Sequence, residues 1–261
     1  MVYFVGAGSG AADLITVRGK NLLERADVIY AGSLVNPELL DYKKEGCMVF
    51  NSATMTLEEV LEVMEKAEAA GKMTVRLHTG DPCIYGAIRE QMDRLDEKGI
   101  AYASCPGVSA FCGAASALNL EYTLPGVSQS AIITRMAGRT PVPERESIAS
   151  FAAHQATMVV FLSTGLLEEL SGELIAGGYT AETPAAIVYK ATWKEEEKYI
   201  CTVGTLAQTA KEHNITKTAL MIIGEAVTHS NYARSELYNP NFSTEYRKAK
   251  SEINPNEVKE K

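Results

Sequence analysis

Residues 2–11 read VYFVGAGSGA, an apolar run that stops in a glycine-rich turn. A short run of this kind is a buried strand, and the glycines are its tight exit. Two later stretches share the form: KMTVRLHTGDP at 72–82 and IAYASCPG at 100–107. ADVIYAG at 26–32 and CMVFNSA at 47–53 read as two further strands. Between the strands lie helical spacings. Leu14–Arg25 carries Leu14, Val17, Leu22 and Leu23 among charges, and Leu34–Leu40 is a short segment broken by Pro37. Thr56–Ala70 places Leu57, Val60, Leu61 and Met64 on one face, with Gly71 as its stop. Ala87–Gly99 and the small-residue segment Val108–Leu118 complete the set. Strands alternating with helices imply an α/β domain with a mostly parallel sheet.

The pattern changes after Leu118. NLEYTLPGVSQS at 119–130 reads as a linker around Pro125 and Gly126. Strands follow at AIITR (131–135), MVVFLST (158–164), AAIVYKAT (185–192), EKYICTVG (197–204) and ALMIIGEAV (219–227). Helices are expected at Ser147–Ala153, Leu166–Ile175 and Leu206–His213, and WKEEEK at 193–198 makes a hairpin tip. A hairpin needs antiparallel neighbours, so the second sheet is mixed. The expected organisation is an N-terminal α/β domain over 1–118, a C-terminal mixed α/β domain over 119–243, and a disordered tail from 244 to 261, where Lys and Glu dominate.

With 46% hydrophobic and 22% charged residues, the chain can build a core. A net charge of −8 argues against nucleic acid as a partner, which requires a basic face. No apolar run approaches the roughly 20 residues of a membrane helix, and the N-terminus enters a strand without a basic leader. Five cysteines, an odd number without a CxxC pair, argue against a disulfide framework or a zinc site and for a reduced, cytoplasmic setting.

Four constellations bear on chemistry. Gly6-Ala7-Gly8-Ser9-Gly10-Ala11 half matches the dinucleotide fingerprint. Its acidic partner, Asp27, precedes VIYA and so falls at the wrong end of the second strand. Thr79-Gly80-Asp81-Pro82 stands where α/β sheets bind ligands, although an Asx turn also explains Asp81. Pro106-Gly107-Val108-Ser109-Ala110 turns from a strand into a helix, with Ser109 as N-cap. TRMAGRTPVPER at 134–145 supplies Arg135, Arg139 and Arg145, forks suited to carboxylates or a solvated loop. The four histidines (His78, His154, His213, His229) show no triad or metal-site spacing. Three glycine-rich strand ends together describe a crevice that takes a ligand mainly through backbone groups.

These three loops, in this order, resemble the tetrapyrrole methylase family. The likeness runs through VGAGSGAADLITVRGKNLLERADVIYAGSLV, TGDP with Ile84-Tyr85-Gly86, and PGVSAFCGAASALNL, then TMVVFLST, AAIVYKATW and ALMIIGEAV. It implies two α/β domains in a homodimer. It also implies S-adenosyl-L-methionine as cofactor, held between the domains, and S-adenosyl-L-homocysteine as product. YAGSLV, NSATMTLEEV and LPGVSQSAIITRMAGRTPVPERESI look most like the members that methylate C11 of precorrin-4 or cobalt-precorrin-4 in cobalamin synthesis. The residues that the resemblance places at the cofactor are Ser9, Thr79, Gly80, Asp81, Ile84, Ser109, Ala110, Leu162, Ala191 and Ala219. Leu162 and Ala191 would flank the adenine or ribose. Ser9 and Ala11 stand where the family often has Pro and an acidic residue. Arg135 and Arg139 are the candidates for the carboxylates of a tetrapyrrole substrate, and 136–143 for a flap over it. No residue is singled out as a catalytic base. Other ring positions of a corrin precursor or uroporphyrinogen III, a tetrapyrrole carrier, and a nicotinamide oxidoreductase remain alternatives.

Overall fold

The structure, a computed structural model, describes residues 1–250. It contains two five-stranded sheets. The first comprises β1 (Val2–Gly6), β2 (Val28–Ala31), β3 (Met48–Asn51), β4 (Thr74–His78) and β5 (Tyr102–Cys105). Its order is β3-β2-β4-β1-β5, and every pair is parallel. The second comprises β6 (Ala131–Arg135), β7 (Thr157–Phe161), β8 (Pro184–Tyr189), β9 (Glu197–Thr202) and β10 (Ala219–Ile223). Its order is β6-β7-β10-β8-β9; only β6–β7 is parallel. One parallel and one mixed sheet match the expected fold class.

The strands that read as continuous apolar runs are covered on both faces, as such runs require. In β10, Ala219, Met221 and Ile223 enter one core while Leu220 and Ile222 enter the other. In β1, Val5 packs on one side and Val2 and Phe4 on the opposite side. The helices are α1 (Val17–Arg25), α2 (Leu57–Ala69), α3 (Arg89–Glu97), α4 (Ala110–Leu118), α5 (Ile148–Ala152), α6 (Leu167–Ala176) and α7 (Leu206–Glu212). Caps set several boundaries. The Thr16 side chain accepts from the Gly19 amide, so α1 starts three residues later than its apolar pattern suggests. Thr56 and Glu59 form a reciprocal capping box on α2.

Helix α4 ties the halves together. It ends the first α/β run, yet Ala114 and Ala117 lie in a core with Val159, Ala186, Val188, Leu220 and Ile222 of the second sheet. Its small residues permit this close approach. The chain therefore changes its packing partner before the linker at 119–130.

The expected tail begins within the described residues. Over 244–250 the chain makes a bridge between Thr244 and Arg247, and the Arg247 guanidinium donates to the carbonyls of Leu237, Asn239 and Phe242. Ala249 is buried. These contacts are local to the start of the expected tail, where the Arg247 guanidinium meets backbone carbonyls. The remainder, 251–261, lies outside the described residues.

Candidate functional site

Strands β4, β1 and β5 are neighbours, so their three exits meet at one sheet end. Gly8 and Gly80 exchange backbone hydrogen bonds at 3.2 and 2.8 Å, both with positive φ. A Cβ on Gly6 would lie 2.5 Å from Gly107 Cα, and one on Gly107 only 2.3 Å from the Gly80 carbonyl oxygen. Only residues without side chains let the three loops interlock.

Asp81 locks the arrangement. Its Oδ1 accepts from the Cys83 amide and its Oδ2 from the Gly107 amide, both at 2.8 Å. Burial would raise its pKa, but the bonds from Cys83 and Gly107 outweigh burial and hold the carboxylate below its usual range. The Asx turn is thus formed, and the same side chain also staples the loop after β5.

The second sheet meets these loops with its own strand ends. Phe161 and Leu162 at the end of β7, Lys190 and Ala191 at the end of β8, and Thr218 and Ala219 at the start of β10 border a cleft of about 720 Å³. Ser9, Thr79, Gly80, Asp81, Ile84, Ser109 and Ala110 border it from the other side. All ten residues expected at the cofactor therefore line one cavity between the sheets. Its size lies in the range of small-molecule and cofactor sites.

The seam is built from small contacts. Ser9 Oγ is 3.0 Å from Thr192 Oγ1, which also accepts the Ala11 amide at 3.1 Å. The Trp193 ring sits against Gly10, where a Cβ would come within 2.3 Å of it. Tyr85 and Phe161 approach across the cleft with ring centroids 5.6 Å apart. His78 is buried at the cleft floor, and its Nε2 has no partner. Burial, aided by the nearby Arg76 cation, lowers its pKa to about 3, so the imidazole stays neutral.

The arginines fall elsewhere. Neither Arg135 nor Arg139 is among the residues lining the cleft. The Arg135 guanidinium donates to the carbonyls of Met136, Thr140 and Pro141 at 3.0, 3.2 and 2.9 Å, holding the 136–141 loop to its own strand end. Met136 donates its amide to Ser163 Oγ at 2.9 Å, so the expected flap is anchored at its base beside the cleft wall. Arg139 is exposed.

The contribution of 190–193 was not read from the sequence beyond Ala191, nor that of Ser33, Leu34, Tyr85 or Thr218. The adjacency of Tyr189–Ala219 and Val188–Leu220 in the sheet register brings Lys190 beside Thr218, and no local pattern encodes that pairing.

Asp27, the missing half of the nicotinamide fingerprint, accepts from the Met73 amide at 2.7 Å and from Lys44 Nζ at 2.6 Å. It fastens the start of β2, at the end of the sheet away from the cleft. The four other cysteines apart from the buried Cys105 are partly or fully exposed, and all five are free thiols. No cluster of metal-binding side chains occurs among the described residues. Among them also, no helix is long and apolar enough to cross a membrane.

An interlocked glycine crevice facing a second mixed sheet, with a cofactor-sized cleft between, agrees with a comparison against known families. The model described as Tetrapyrrole (Corrin/Porphyrin) Methylases matches residues 1–207, and the chain belongs to that family. It is 51% identical over 249 residues to the cobalt-precorrin-4 C(11)-methyltransferase of Methanocaldococcus jannaschii, covering 95% of this chain and 96% of that protein. Its fold matches a solved cobalt precorrin-4 methyltransferase, described as a cobalamin biosynthetic enzyme, with a TM-score of 0.85 and 43% identity over 87% of this chain and 95% of that one. A uroporphyrin-III C-methyltransferase of Thermus thermophilus, solved with S-adenosyl homocysteine, matches with a TM-score of 0.72 and 25% identity over 87% of this chain and 99% of that one.

Proposed function

We propose that this protein transfers a methyl group from S-adenosylmethionine to C11 of precorrin-4 or its cobalt complex in cobalamin synthesis. The 51% identity to a cobalt-precorrin-4 C(11)-methyltransferase across nearly the whole of both chains carries this reading.

The residues present suit the cofactor. Ser109, the N-cap of α4, makes no side-chain cap bond, so the first amides of the helix are left for another acceptor. A Cβ on Gly80 would stand 3.3 Å from the Ala110 nitrogen; its absence keeps that amide open to the cleft. The positive end of α4 and these amides suit a carboxylate. Ile84, Leu162, Ala191 and Ala219 supply apolar surface for an adenosyl group. These assignments, with Ser9, Thr79, Asp81 and Ser109, are ours.

When bound, S-adenosylmethionine supplies an electrophilic methyl on a sulfonium sulfur, which a nucleophilic ring carbon takes in line as the bonding pair returns to sulfur. The chain's task is alignment. Interlocked loops and strand ends hold two large ligands in one orientation, and such positioning can contribute roughly 7–11 kcal/mol to a rate. Asp81 keeps the floor rigid, since both of its oxygens are engaged by amides. Tyr85 and Phe161 narrow the cleft and exclude water. Arg139, on the loop beside the cleft wall, is assigned to a substrate carboxylate. Arg135 is assigned to shaping that loop. We assign the domain boundary at 118/119 to the change of sequence pattern after Leu118, a homodimer to the family likeness, and a cytoplasmic setting to the cysteine composition.

The test is transfer of labelled methyl from S-adenosylmethionine to enzymatically prepared precorrin-4 and cobalt-precorrin-4, with the product's methylation site read by NMR. Methylation at C11 supports the assignment. Methylation elsewhere on the ring moves the protein to another branch of the family.

A further inference from the structure

Three adjacent strand ends of the second sheet each present a residue other than glycine in the left-handed backbone region. Leu162 after β7 has φ +54°, Thr218 before β10 has +62°, and Lys190 after β8 has +44°. All three line the cleft. Such a backbone is uncommon for residues with a Cβ and exceptional for a β-branched one. Strain of this kind gathers where a side chain must be aimed. The Lys190 amide donates to the Thr218 carbonyl at 3.0 Å, so two of the three strained positions hold each other.

Lys190 is the informative member. Its ammonium lies 5.7 Å from the Trp193 ring centre and 5.6 Å from that of Tyr189. Trp193 packs on Gly10, so the indole is a fixed plate beside the Lys190 ammonium. The nearest carboxylate is Glu195 at 3.6 Å, an exposed side chain. A solvated pair of that kind contributes little and yields readily to a better acceptor. No described residue lining the cleft neutralises the charge. Among the described residues the one carboxylate lining it, Asp81, already accepts two amides.

We propose that Lys190 is a specificity-determining residue whose ammonium binds a carboxylate of a ligand in this cleft. The inference rests on the reading above, in which both ligands carry carboxylates: the tetrapyrrole on its acetate and propionate side chains, the cofactor on its amino-acid end. The open amides of α4 already suit the cofactor's carboxylate, so the Lys190 ammonium is left for a second carboxylate. The rim of the tetrapyrrole is the acceptor that this division favours.

The experiment compares wild type, Lys190→Gln, Lys190→Arg and Glu195→Gln. Calorimetry gives the Kd for S-adenosylhomocysteine, and steady-state methyl transfer gives KM and kcat for the tetrapyrrole. Loss of a charge-assisted bond predicts a rise of about tenfold in tetrapyrrole KM for Lys190→Gln, with kcat and the S-adenosylhomocysteine Kd within about twofold of wild type. Lys190→Arg restores most of the loss, and Glu195→Gln leaves KM unchanged or lower. A rise in the S-adenosylhomocysteine Kd with unchanged KM moves the carboxylate to the cofactor and retains the lysine's role. If both constants for Lys190→Gln match wild type in a protein of unchanged Tm, the proposal is overturned. Failure of the wild type to bind S-adenosylhomocysteine would instead sink the methylase reading itself.

Discussion

The Ser9 hydroxyl of the first glycine loop lies 3.0 Å from the Thr192 hydroxyl of the loop after β8. That pair joins the two sheets at the edge of the cleft, and Thr192 is held in turn by its amide donating to Glu196 Oε2 at 2.6 Å. The seam runs beside the cleft, since Ser9 and Trp193 both line it. Residues at the seam are expected to influence ligand affinity without touching a reacting atom.

Gly10 tests this. An alanine there would place its Cβ 2.3 Å from Trp193 Cδ1 and 2.7 Å from the Ala191 carbonyl oxygen. The clash falls partly on backbone, so the sheets must part or the indole must leave. Gly10→Ala should destabilise the protein by about 1–3 kcal/mol. It should also weaken S-adenosylhomocysteine binding at least tenfold, read by thermal melting and calorimetry. Unchanged affinity would mean that the cleft does not depend on this seam.

Asp81 gives a pH-dependent prediction. Its folded pKa is lowered from 3.8, because the two amide bonds outweigh the effect of burial. The unfolded state then binds the proton more readily. The stabilisation is fully present above the unfolded pKa and disappears as pH falls through the folded value. Asp81→Asn should therefore be less stable than wild type at neutral pH, since Asn keeps one neutral oxygen and puts an NH2 donor against the second of the Cys83 and Gly107 amides. The gap should narrow as pH falls below about 4. Chemical denaturation across pH 3–7 would show it; a gap independent of pH would contradict the role.

His78 behaves oppositely to a catalytic histidine at neutral pH. With its pKa near 3, against 6.5 when unfolded, it is neutral throughout the working range. Protonation favours the unfolded chain, so its contribution to stability is intact above pH 6.5 and is lost as pH drops toward 3. NMR titration should find one imidazole that does not titrate between pH 5 and 8. A His78 midpoint near 6.5 would show that the floor of the cleft is open to water.

The two arginines should separate. Arg135 donates to three carbonyls of its own loop, so Arg135→Ala should speed hydrogen exchange over 136–141. Arg139→Ala should leave exchange unaltered and raise tetrapyrrole KM several-fold with S-adenosylhomocysteine affinity unchanged. Unaltered KM would remove Arg139 from substrate binding.

Much of this molecule is legible in its sequence because the signals are local. Apolar runs ending in glycine marked β1, β4 and β5, and Pro125-Gly126 marked the change of sheet. The family likeness named ten positions that line one cleft. What stayed hidden was long-range. That α4 packs on the second sheet depends on Ala114 and Ala117 meeting Val159 and Val188, a contact no window of sequence contains. Arg135 read as a carboxylate fork because its partners are backbone carbonyls, which carry no residue-type signal. Lys190 carries no local signal for a similar reason: its left-handed backbone has no glycine or asparagine to announce it.

The most direct measurement is a calorimetric titration of the purified protein with S-adenosylhomocysteine, with NADH and NADPH run in parallel. Saturable micromolar binding of the first at one site per chain, and none of the others, is the predicted result. Binding of a nicotinamide cofactor with no response to S-adenosylhomocysteine would contradict the methylase reading and return the Gly6–Ala11 loop to the dinucleotide class.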